Sequence, residues 1–414
     1  MPARRPRSLD AYLHGHPVGT FTLDPQLQFT YHPGHLTADA TPLSLSMPLS
    51  DTVYRQSVTV PWLDGLLPDS QDVRNRWGTQ FGVSGNSAFA LLTHMGLDAP
   101  GAIQLVPAGT PLPRHGELEP MDEAAIGRRL HALRDEPDHW TFTGERWSLG
   151  GAQSKFALRW DDGWHQARGA EPTTHIFKPG VAGVRGQGLN EHLTMTAARL
   201  LGLDAVETRY DEFDGEPAIV ITRYDRGDVD GRILRAHQED LCMALSRPRS
   251  KKYEDDGGPG AADIIDLLRG TPNATGNVTA FLAALVFNYL VGAPDGHAKN
   301  YSLLLAGPMV RLAPLYDIAS SLPYDSAPDS GMRRLAMAVG GEKRFGRVRG
   351  AHWDRLARRA GVDTDWLRGR VRDLAAALPD ALRDAIASIP SSRRSDLPDR
   401  YLDRLAAHLD RHRD

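Results

Sequence analysis

Short apolar runs alternate with polar residues in the first part of the chain, whereas the second part has the spacing of amphipathic helices. Up to about Pro107 the runs are short, as at 19–23 and 57–60, and prolines and glycines interrupt them. Such strands beside the apolar patch at 61–68 predict a small α+β unit. The segment 108–120 is rich in Pro and Gly, and we interpret it as a domain boundary.

The pattern after this boundary predicts a strand-rich lobe followed by a helical one. Helical spacing appears first at 121–134 and again at 190–203. The predicted strands between them and after them are residues 142–149, 156–160, 175–178, 206–213 and 217–222. From Glu239 onward helical spacing dominates, at residues 264–269, 278–291 and 353–409. We therefore expect an α+β fold with an amino-terminal subdomain at 1–110, a strand-rich lobe at 121–226 and a helical lobe at 227–414.

Composition excludes several classes of protein. Of the 414 residues, 41% are apolar and 24% are charged, which is typical of a globular chain and excludes a wholly disordered or fibrous one. The single cysteine, Cys242, excludes an intrachain disulfide framework and a cysteine-rich zinc site, and we interpret it as a packed core thiol. The net charge of −4 favours no acidic polymer as an obligatory partner.

No segment of the sequence predicts a membrane span. The longest apolar run, 281–293, is broken by Asn288 and Gly292 and is shorter than the roughly 20 residues that a helix needs to cross a bilayer. The basic start, with Arg4 and Arg5, leads into polar residues instead of the apolar core of a signal peptide. We therefore expect a cytoplasmic protein.

The strongest chemical signal follows the most apolar helix, in the segment 295–300, Asp-Gly-His-Ala-Lys-Asn. Protein kinases use an aspartate and an asparagine at this spacing, the first as a base for a hydroxyl and the second as a metal ligand. An Asx-turn at the end of the helix is the alternative. Two short strands, at 301–305 and 310–315, then lead to Asp317, which could bind magnesium or simply cap the turn.

A glycine-containing loop lies upstream, at 148–155, Ser-Leu-Gly-Gly-Ala-Gln-Ser-Lys. Paired glycines allow backbone N–H groups to approach phosphate oxygens, although the loop lacks the P-loop spacing. A hairpin turn between two strands is the alternative.

Two further features fit a nucleotide site. Lys178 ends an apolar strand, so it needs an anionic partner, unless it is an edge lysine that prevents aggregation. Glu191 is a candidate partner for it, although an acid early in a helix is also ordinary dipole complementarity. The strand that ends at Thr222 and Tyr224 becomes a linker where adenine could bond to the main chain, or where Tyr224 simply packs in the core.

In this order, these motifs resemble the HipA family, the serine/threonine kinase toxins of bacterial type II toxin–antitoxin systems. The resemblance rests on the segments 148–153, 175–178, 223–226, 238–240, 252–260, 295–300 and 316–318. It covers nearly the whole chain, because residues 64–69 resemble part of the family's first subdomain. The resemblance implies a two-lobed, protein-kinase-like fold with Mg²⁺ and ATP in the cleft.

The resemblance also implies roles for single residues. Asp295 matches the catalytic aspartate, Asn300 and Asp317 match the magnesium ligands, and Ser148 matches the serine that the kinase phosphorylates in its own loop. Phosphate on that serine silences enzymes of the family, which agrees with the charge that it adds where nucleotide phosphates must lie. The residues implied to bind ATP are Gly150, Gly151, Ala152, Gln153, Lys178, Thr222, Tyr224, Gln238 and His297.

The implied partners are a small helix-turn-helix antitoxin (HipB-like), operator DNA through that antitoxin, and a protein substrate, for which an aminoacyl-tRNA synthetase is the family's example. Thr222 departs from the family where relatives can carry an acid. Two alternatives to the kinase remain: a nucleotide-gated co-repressor that acts with a DNA-binding partner, and a metal-dependent hydrolase. The hydrolase leaves Lys178 and the glycine loop without a function.

Two other signals stand outside these motifs. Residues 333–359 contain nine Lys or Arg residues and only two acids, Glu342 and Asp354, which is typical of a nucleic-acid contact or of a solvated surface. His408 and His412 share a helical face and lack a third ligand, so we expect them to face solvent.

Overall fold

The computed structural model describes residues 6–142, 144–181, 183–325, 331–390 and 395–410. The strands are β1 (Ser8–Leu13), β2 (His16–Leu23), β3 (Leu27–Tyr31), β4 (Ile103–Pro107), β5 (Gly116–Pro120), β6 (Phe156–Trp160), β7 (Trp164–Gly169), β8 (His175–Lys178), β9 (Thr208–Phe213), β10 (Glu216–Thr222), β11 (Arg226–Val229), β12 (Arg232–Arg235), β13 (His237–Asp240), β14 (Ser302–Ala306), β15 (Met309–Leu312), β16 (Arg334–Val339) and β17 (Glu342–Arg344). The helices are α1 (Gln56–Gly65), α2 (Gln71–Phe81), α3 (Ala88–Met95), α4 (Glu123–Asp135), α5 (Gln187–Leu200), α6 (Leu241–Ala244), α7 (Ala261–Arg269), α8 (Ala274–Leu290), α9 (Gly350–Ala360), α10 (Thr364–Ala387) and α11 (Leu397–Asp410).

These elements form two compact units. The first unit comprises Met1–Pro179, Asp211–Arg249 and Leu303–Val310, and the second comprises Gly180–Tyr210, Ser250–Ser302 and Arg311–Asp414. α5 packs on α10 and belongs to the second unit.

The first unit contains two larger sheets that share one core. An antiparallel sheet with the order β3-β2-β1-β4 carries α1 and α3, and a six-stranded sheet has the order β5-β7-β6-β8-β10-β9. Along β1, buried residues alternate with partly exposed ones, as the period of a half-buried strand requires. Trp62 of the first sheet's layer and the stacked pair Phe156 and Phe177 of the second lie in the same continuous apolar core.

A buried charge cluster links distant parts of the first unit, and we define it as Asp98, Arg223, Asp225, Arg226 and Arg235. Asp98 pairs with Arg226 at 2.9 Å, with Arg235 at 3.2 Å and with Arg223 at 3.4 Å. Burial alone would raise the pKa of Asp98, but the three guanidinium groups hold it well below its usual value. The cluster is a set of paired ions, which is the condition under which charges are tolerated in a protein interior.

The second unit is mainly helical. α8 is buried on most of its surface, with a long apolar run toward its carboxyl end, which is the pattern of a central helix rather than an amphipathic one. α10 packs against α5, α8, α9 and α11, and the hairpin β16-β17 lies beside α7. In the part of the chain that the structure describes, no helix is long and apolar enough to cross a membrane.

Several sequence predictions are confirmed and two are wrong. Strands β6 and β8 have the predicted bounds, and α4, α5, α7 and α8 lie within a few residues of theirs. Residues 57–60 are not a strand, because Thr59, Trp62 and Leu63 face the core at helical spacing within α1. The described part of 142–149 forms no strand: Gly144 has φ +90°, and the buried Glu145 carboxylate bonds to Arg129 and to the backbone N–H of Phe142.

Candidate active site

Buried hydrogen bonds hold the start of the loop that carries Asp295, the predicted base. Gly292 ends the turn after α8 with φ +65°, a conformation that favours glycine. The hydroxyl groups of Ser320 and Ser321 donate to the carbonyl oxygens of Val291 and Gly292 at 2.6 and 2.9 Å. The loop is therefore fixed where it leaves α8, a largely buried helix of the second unit.

Asp295 and Asn300 are brought together at the predicted spacing. Asn300 Nδ2 donates to the backbone oxygen of Asp295 at 2.7 Å, and the same oxygen accepts from the backbone N–H of His297 at 2.8 Å. The main chain therefore closes the turn, in place of the Asx-turn that was the alternative. The carboxylate of Asp295 stays 59% exposed, whereas Asn300 is buried.

Tyr253 is a site residue that sequence reasoning missed. Its hydroxyl donates to Asp295 Oδ1 at 2.5 Å, and its ring meets the His297 ring edge to face, with centroids 4.8 Å apart. Tyr253 lies 42 residues before Asp295, so no local pattern joins the two. The only signal was the position of Tyr253 within the segment 252–260, which belongs to the family motifs.

His297 is buried beside this pair. Burial lowers the pKa of His297, while the nearby carboxylates of Asp295 and Asp317 oppose the shift. Its Nε2 lies 3.9 Å from Asp295 Oδ1, and its buried Nδ1 has no hydrogen-bond partner within the described part of the chain. A neutral imidazole at this place can accept or donate one hydrogen bond at Nδ1.

Asp317 lies close enough to His297 to affect its charge, but not at a strand end as predicted. β15 ends at Leu312, and Asp317 follows five residues later with φ +59°. A second missed residue, Asn190 of α5, fixes the chain just after it. Asn190 Nδ2 donates to the carbonyl oxygen of Ser320 at 2.7 Å, and its Oδ1 accepts from the N–H of Ser320 at 3.0 Å.

The donors at this loop fit a magnesium ion. Asn300 engages the protein through its amide nitrogen, which leaves its oxygen as a hard donor, and Asp317 supplies a carboxylate. Among the described residues, no three His, Cys, Asp or Glu side chains cluster as a metal site. Magnesium does not require such a cluster, because it is held by one or two carboxylates together with substrate phosphates and water.

The glycine loop of the first unit is an irregular segment and not the turn of a hairpin. Gly151 has φ +91°, its carbonyl oxygen accepts from the N–H of Asp69 at 2.8 Å, and Lys155 Nζ donates to the carbonyl oxygen of Gly150 at 2.7 Å. Ala152 is exposed and Gln153 is half-buried. Lys155 belongs to the predicted loop, whereas Asp69 is a further residue that sequence reasoning did not assign to it.

Ser148, the predicted phosphorylation site, is fully buried. Its exposure is 0%, and its Oγ has no hydrogen-bond partner among the residues that the structure describes. Its N–H donates to the carbonyl oxygen of Asp98 at 3.1 Å. In this conformation the serine hydroxyl cannot meet a solvent-borne phosphate donor.

The other predicted nucleotide residues of the first unit lie on or after β8 and β10. Lys178 is buried and pairs in register with Ile219, whereas Thr222 pairs with His175 at the other end of β8. The hydroxyl of Tyr224 donates to Gln238 Oε1 at 2.8 Å. The structure therefore brings Tyr224 and Gln238 together and separates Thr222 from Lys178 by about 10 Å of strand.

Family models match most of the chain. Residues 9–106 match the HipA N-terminal domain, and residues 147–382 match the HipA-like C-terminal domain. The chain belongs to the HipA family.

Individual relatives agree with this HipA assignment. The protein Y4mE of Sinorhizobium fredii, named as a kinase, is 36% identical over 96% of this chain and 94% of its own. The serine/threonine-protein kinase toxin HipA of Shewanella oneidensis is 28% identical over 84% of this chain and 82% of its own. The predicted class of enzyme, a serine/threonine protein kinase, is thereby confirmed.

A solved structure confirms the predicted fold class. The HipA chain of the Shewanella oneidensis toxin–antitoxin complex of HipA, HipB and operator DNA superposes with a TM-score of 0.85 at 25% identity. The match covers 98% of this chain and 97% of that one. The α+β, kinase-like HipA fold therefore extends over both units, and the chain is a toxin-type kinase of this family.

The remaining predictions have mixed outcomes. Glu191 is buried in the second turn of α5 and accepts from Gln187 Nε2 at 3.4 Å, so it does not cap the first turn. Cys242 is buried, as expected of a core thiol. The expectation for His408 is wrong: it is buried and its Nε2 bonds to the carbonyl oxygen of Tyr289 at 3.1 Å. His412 lies outside the described residues.

Several basic side chains of the stretch 333–359 contact other groups of the protein, so fewer are available to bind nucleic acid than the sequence indicates. Arg334 and Lys343 pair with Asp255, and Arg359 pairs with Asp266. Arg349 and Arg355 donate to backbone carbonyl oxygens of their own neighbourhood. Much of this charge is therefore neutralised or held within the second unit.

Proposed function

We propose that this protein transfers the γ-phosphoryl group of ATP to serine or threonine hydroxyl groups, with Asp295 as the catalytic base. In the proposed step the carboxylate of Asp295 takes the proton of the acceptor hydroxyl. The hydroxyl oxygen forms a bond to the γ-phosphorus while the bond from that phosphorus to the leaving oxygen of ADP breaks. The observation that carries the proposal is the fixed, exposed carboxylate of Asp295, five residues before the asparagine that closes its loop.

The phosphates of ATP are assigned to groups of the first unit. Lys178 supplies a cation, and Gly150, Gly151, Ala152 and Gln153 supply backbone N–H groups. Tyr224, Gln238 and Thr222 are assigned to the nucleoside. The hydrogen bond between Tyr224 and Gln238 supports a shared role, because it orients both side chains. His297 is assigned to the nucleotide through its unpartnered buried Nδ1.

We assign magnesium to Asn300 and Asp317. When bound there, the ion would neutralise charge on the transferring phosphoryl group. Asn190 keeps the segment after Asp317 in place through its two bonds to Ser320. The hard oxygen donors that the two ligand residues offer support this assignment.

We further propose that Ser148 is phosphorylated by the protein itself and that the modification inactivates it. A phosphoserine carries nearly two negative charges and three strong acceptors, which a fully buried position without a hydrogen-bond partner cannot hold. A phosphorylated Ser148 must therefore leave its present place and carry the glycine loop with it.

The biological role that we propose is that of a toxin held in check by a helix-turn-helix, HipB-like antitoxin and linked through it to operator DNA. The relative of known structure, which is described as a complex of HipA, HipB and operator DNA, supports this role. We propose the cytoplasm as the compartment and a translation-related protein, such as an aminoacyl-tRNA synthetase, as the substrate. The division into an amino-terminal subdomain at 1–110 and lobes at 121–226 and 227–414 remains our proposal for the modules of the chain.

Labelling with γ-³²P-ATP and magnesium tests the catalytic assignment. We expect Asp295→Ala to lower phosphate incorporation by about 10²- to 10⁴-fold, the range for loss of a general base. Asp204→Ala is a matched control, because Asp204 is an equally exposed aspartate of the second unit, at 61% against 59%. Labelling at an undiminished rate in Asp295→Ala would contradict the role of Asp295.

Two further outcomes decide between the alternatives. ATP binding by the unaltered protein without transfer to any acceptor would favour the co-repressor.

For Lys178→Ala we expect weaker ATP binding, measured by calorimetry, with Arg311→Ala as a control for loss of one exposed cation. Equal affinity in the two variants would remove Lys178 from the nucleotide site.

A further inference from the structure

We propose that Tyr253 is a positioning residue for the catalytic base, because its hydroxyl bonds to one oxygen of Asp295 and leaves the other for the acceptor. The inference rests on the proposed function, since it assumes that Asp295 is the base. It gives a function to Tyr253 and the segment 252–260, which the sequence alone identifies only as one of the family motifs.

The contact between the two side chains is short and directional. The distance from the Tyr253 hydroxyl to Asp295 Oδ1 is 2.5 Å, which is in the range of a hydrogen bond from a hydroxyl to a carboxylate anion. An aspartate that is 59% exposed would otherwise sample several rotamers. Among the residues that the structure describes, Asp295 Oδ2 takes no hydrogen bond. Asp295 Oδ1 is thus fixed by a hydrogen bond, whereas Oδ2 is left for the acceptor hydroxyl.

The turn that carries Tyr253 has little freedom. The carbonyl oxygen of Tyr253 accepts from the N–H groups of Asp256 and Gly258 at 3.1 and 2.9 Å. Gly257 has φ +77°, and a Cβ on Gly258 would lie 1.9 Å from the backbone oxygen of Lys251. Both positions therefore favour glycine. The two hydrogen bonds to the Tyr253 carbonyl oxygen close the turn from which the phenol reaches Asp295.

Neighbouring contacts fix this turn to the rest of the second unit. The N–H of Ala298 donates to the backbone oxygen of Lys252 at 3.3 Å, which joins the turn directly to the loop of the base. On the other side, Glu254 Oε2 accepts from the N–H of Ala338 at 2.7 Å, and Lys343 pairs with Glu254 at 3.1 Å. The turn is therefore tied both to the site and to the hairpin β16-β17.

The ring and the hydroxyl of Tyr253 have separate functions in this arrangement. The ring packs edge to face on His297, a contact that a phenylalanine would keep. Only the hydroxyl reaches Asp295. If Tyr253 were merely a packing residue, removal of the hydroxyl would not change the turnover number.

The experiment measures ADP release from Mg-ATP by the full chain, so that transfer to water or to any protein acceptor is counted. We compare Tyr253→Phe, which keeps the ring, with Tyr253→Leu, which loses ring and hydroxyl. Tyr289→Phe is the matched control, because it removes the hydroxyl of a buried tyrosine in the same unit whose bond goes to the backbone of Phe345. Asp295→Ala reports whether the turnover depends on the proposed base.

We expect Tyr253→Phe to lower kcat by about 10-fold with an unchanged KM for ATP, since a misplaced catalytic group costs 10- to 100-fold. We expect Tyr289→Phe to match the unaltered protein, and Tyr253→Leu to lose at least as much activity as Tyr253→Phe. If Asp295→Ala abolishes turnover but Tyr253→Phe keeps the full kcat, the inference is wrong and the proposed function stands. If turnover is absent or survives Asp295→Ala, the proposed function fails and the inference fails with it.

Discussion

The charge cluster of the first unit and the loop around Asp295 in the second are both networks of acids and hydrogen-bond donors, but they differ in exposure. Asp98 is 1% exposed and meets three guanidinium groups, whereas the carboxylate of Asp295 is 59% exposed and meets one phenol. A buried carboxylate whose charge is fully paired, as that of Asp98 is, contributes to the stability of the fold. A carboxylate with one oxygen in a hydrogen bond and the other without one is what the proposed catalytic base requires.

This difference predicts opposite consequences for substitutions in the two networks. Changes in the charge cluster should reduce the free energy of unfolding, because each removed partner leaves a buried ion uncompensated. Changes at Asp295 should reduce turnover and leave folding intact. Asp98→Ala and Asp295→Asn test this contrast directly, and Asn190→Ala and Glu239→Gln extend it to buried groups outside the two networks. The four are given from the largest expected change in the free energy of unfolding to the smallest.

Asp98→Ala should cost about 3–5 kcal/mol, the range for removal of one partner from a buried ion pair. It removes the anion that Arg226, Arg235 and Arg223 share, so that of the cluster's acids Asp225 alone remains for Arg223 and Arg226. It also removes the acceptor for the hydroxyl of Thr173. Urea unfolding followed by tryptophan fluorescence measures the change. Asp354→Ala, which removes an exposed pair with Arg368, is the control and should leave the midpoint nearly unchanged. Equal midpoints for the two variants would contradict a structural role for the cluster.

Asn190→Ala should cost about 2–3 kcal/mol, because it leaves the N–H and the carbonyl oxygen of Ser320 buried without a partner. It should also lower turnover, since the segment after Asp317 loses its support. The same urea titration and an assay of ADP release measure the two effects. Asn190→Asp separates the contributions of the two hydrogen bonds, because it keeps the acceptor for the Ser320 N–H and loses the donor to the Ser320 carbonyl oxygen. Full stability and full activity of Asn190→Ala would show that α5 does not support this segment.

Glu239→Gln should change how stability depends on pH. Burial raises the pKa of Glu239 to about 8, although the N–H of Leu45 and the hydroxyl of Ser44 bond to the carboxyl group. The folded protein therefore holds a proton that the unfolded chain releases above its ordinary pKa of about 4.5. Consequently this group makes the protein less stable as the pH rises from about 4.5 to 8, with a slope of up to about 1.4 kcal/mol per pH unit.

The glutamine variant cannot ionise, so this contribution to the slope should disappear between pH 5 and 8. Unfolding by urea at several pH values measures it. Glu342→Gln serves as the control, because Glu342 is an exposed-hairpin acid whose pKa is lowered by backbone N–H groups instead of raised. An unaltered slope in Glu239→Gln would mean that Glu239 is ionised in the folded protein.

Asp295→Asn should leave the free energy of unfolding within about 0.5 kcal/mol of the original value, as for an exposed position. Its activity should nevertheless be lost, since an amide cannot accept the hydroxyl proton. Thermal unfolding and ADP release, measured on the same preparation, give both numbers. A large loss of stability would place Asp295 with the structural network and remove the contrast between the two regions.

Local patterns in the sequence predict much of the fold and part of the site. β6 and β8 are short apolar runs bounded by turns, and α8 is a long apolar helix, so periodicity is sufficient to find them. The spacing of Asp295 and Asn300 is likewise local and lies within one loop. The failure at 57–60 arose because four residues are too few to distinguish the two periods, and the helix becomes clear only with Trp62 and Leu63.

Contacts between distant segments could not be predicted. Tyr253 reaches Asp295 across 42 residues, and Asp98 reaches Arg223 across 125. The sequence at 223–226 resembled a linker. Its two arginines pair with Asp98, which is distant in the chain and lies close to them only in the folded first unit. His408 failed for the same reason, since its acceptor is a backbone carbonyl of Tyr289 that no side-chain pattern reveals.

The enclosure of Ser148 has a consequence for enzyme kinetics. If the protein phosphorylates Ser148 as proposed, the buried hydroxyl can react only after the glycine loop detaches, and the rate of self-labelling then reports that detachment instead of phosphoryl transfer. The self-labelling rate would therefore level off early as ATP increases, at a ceiling set by the bond from the Ser148 N–H to Asp98 and the packing around it. Labelling of a foreign hydroxyl, which needs no such opening, would not be limited by this ceiling.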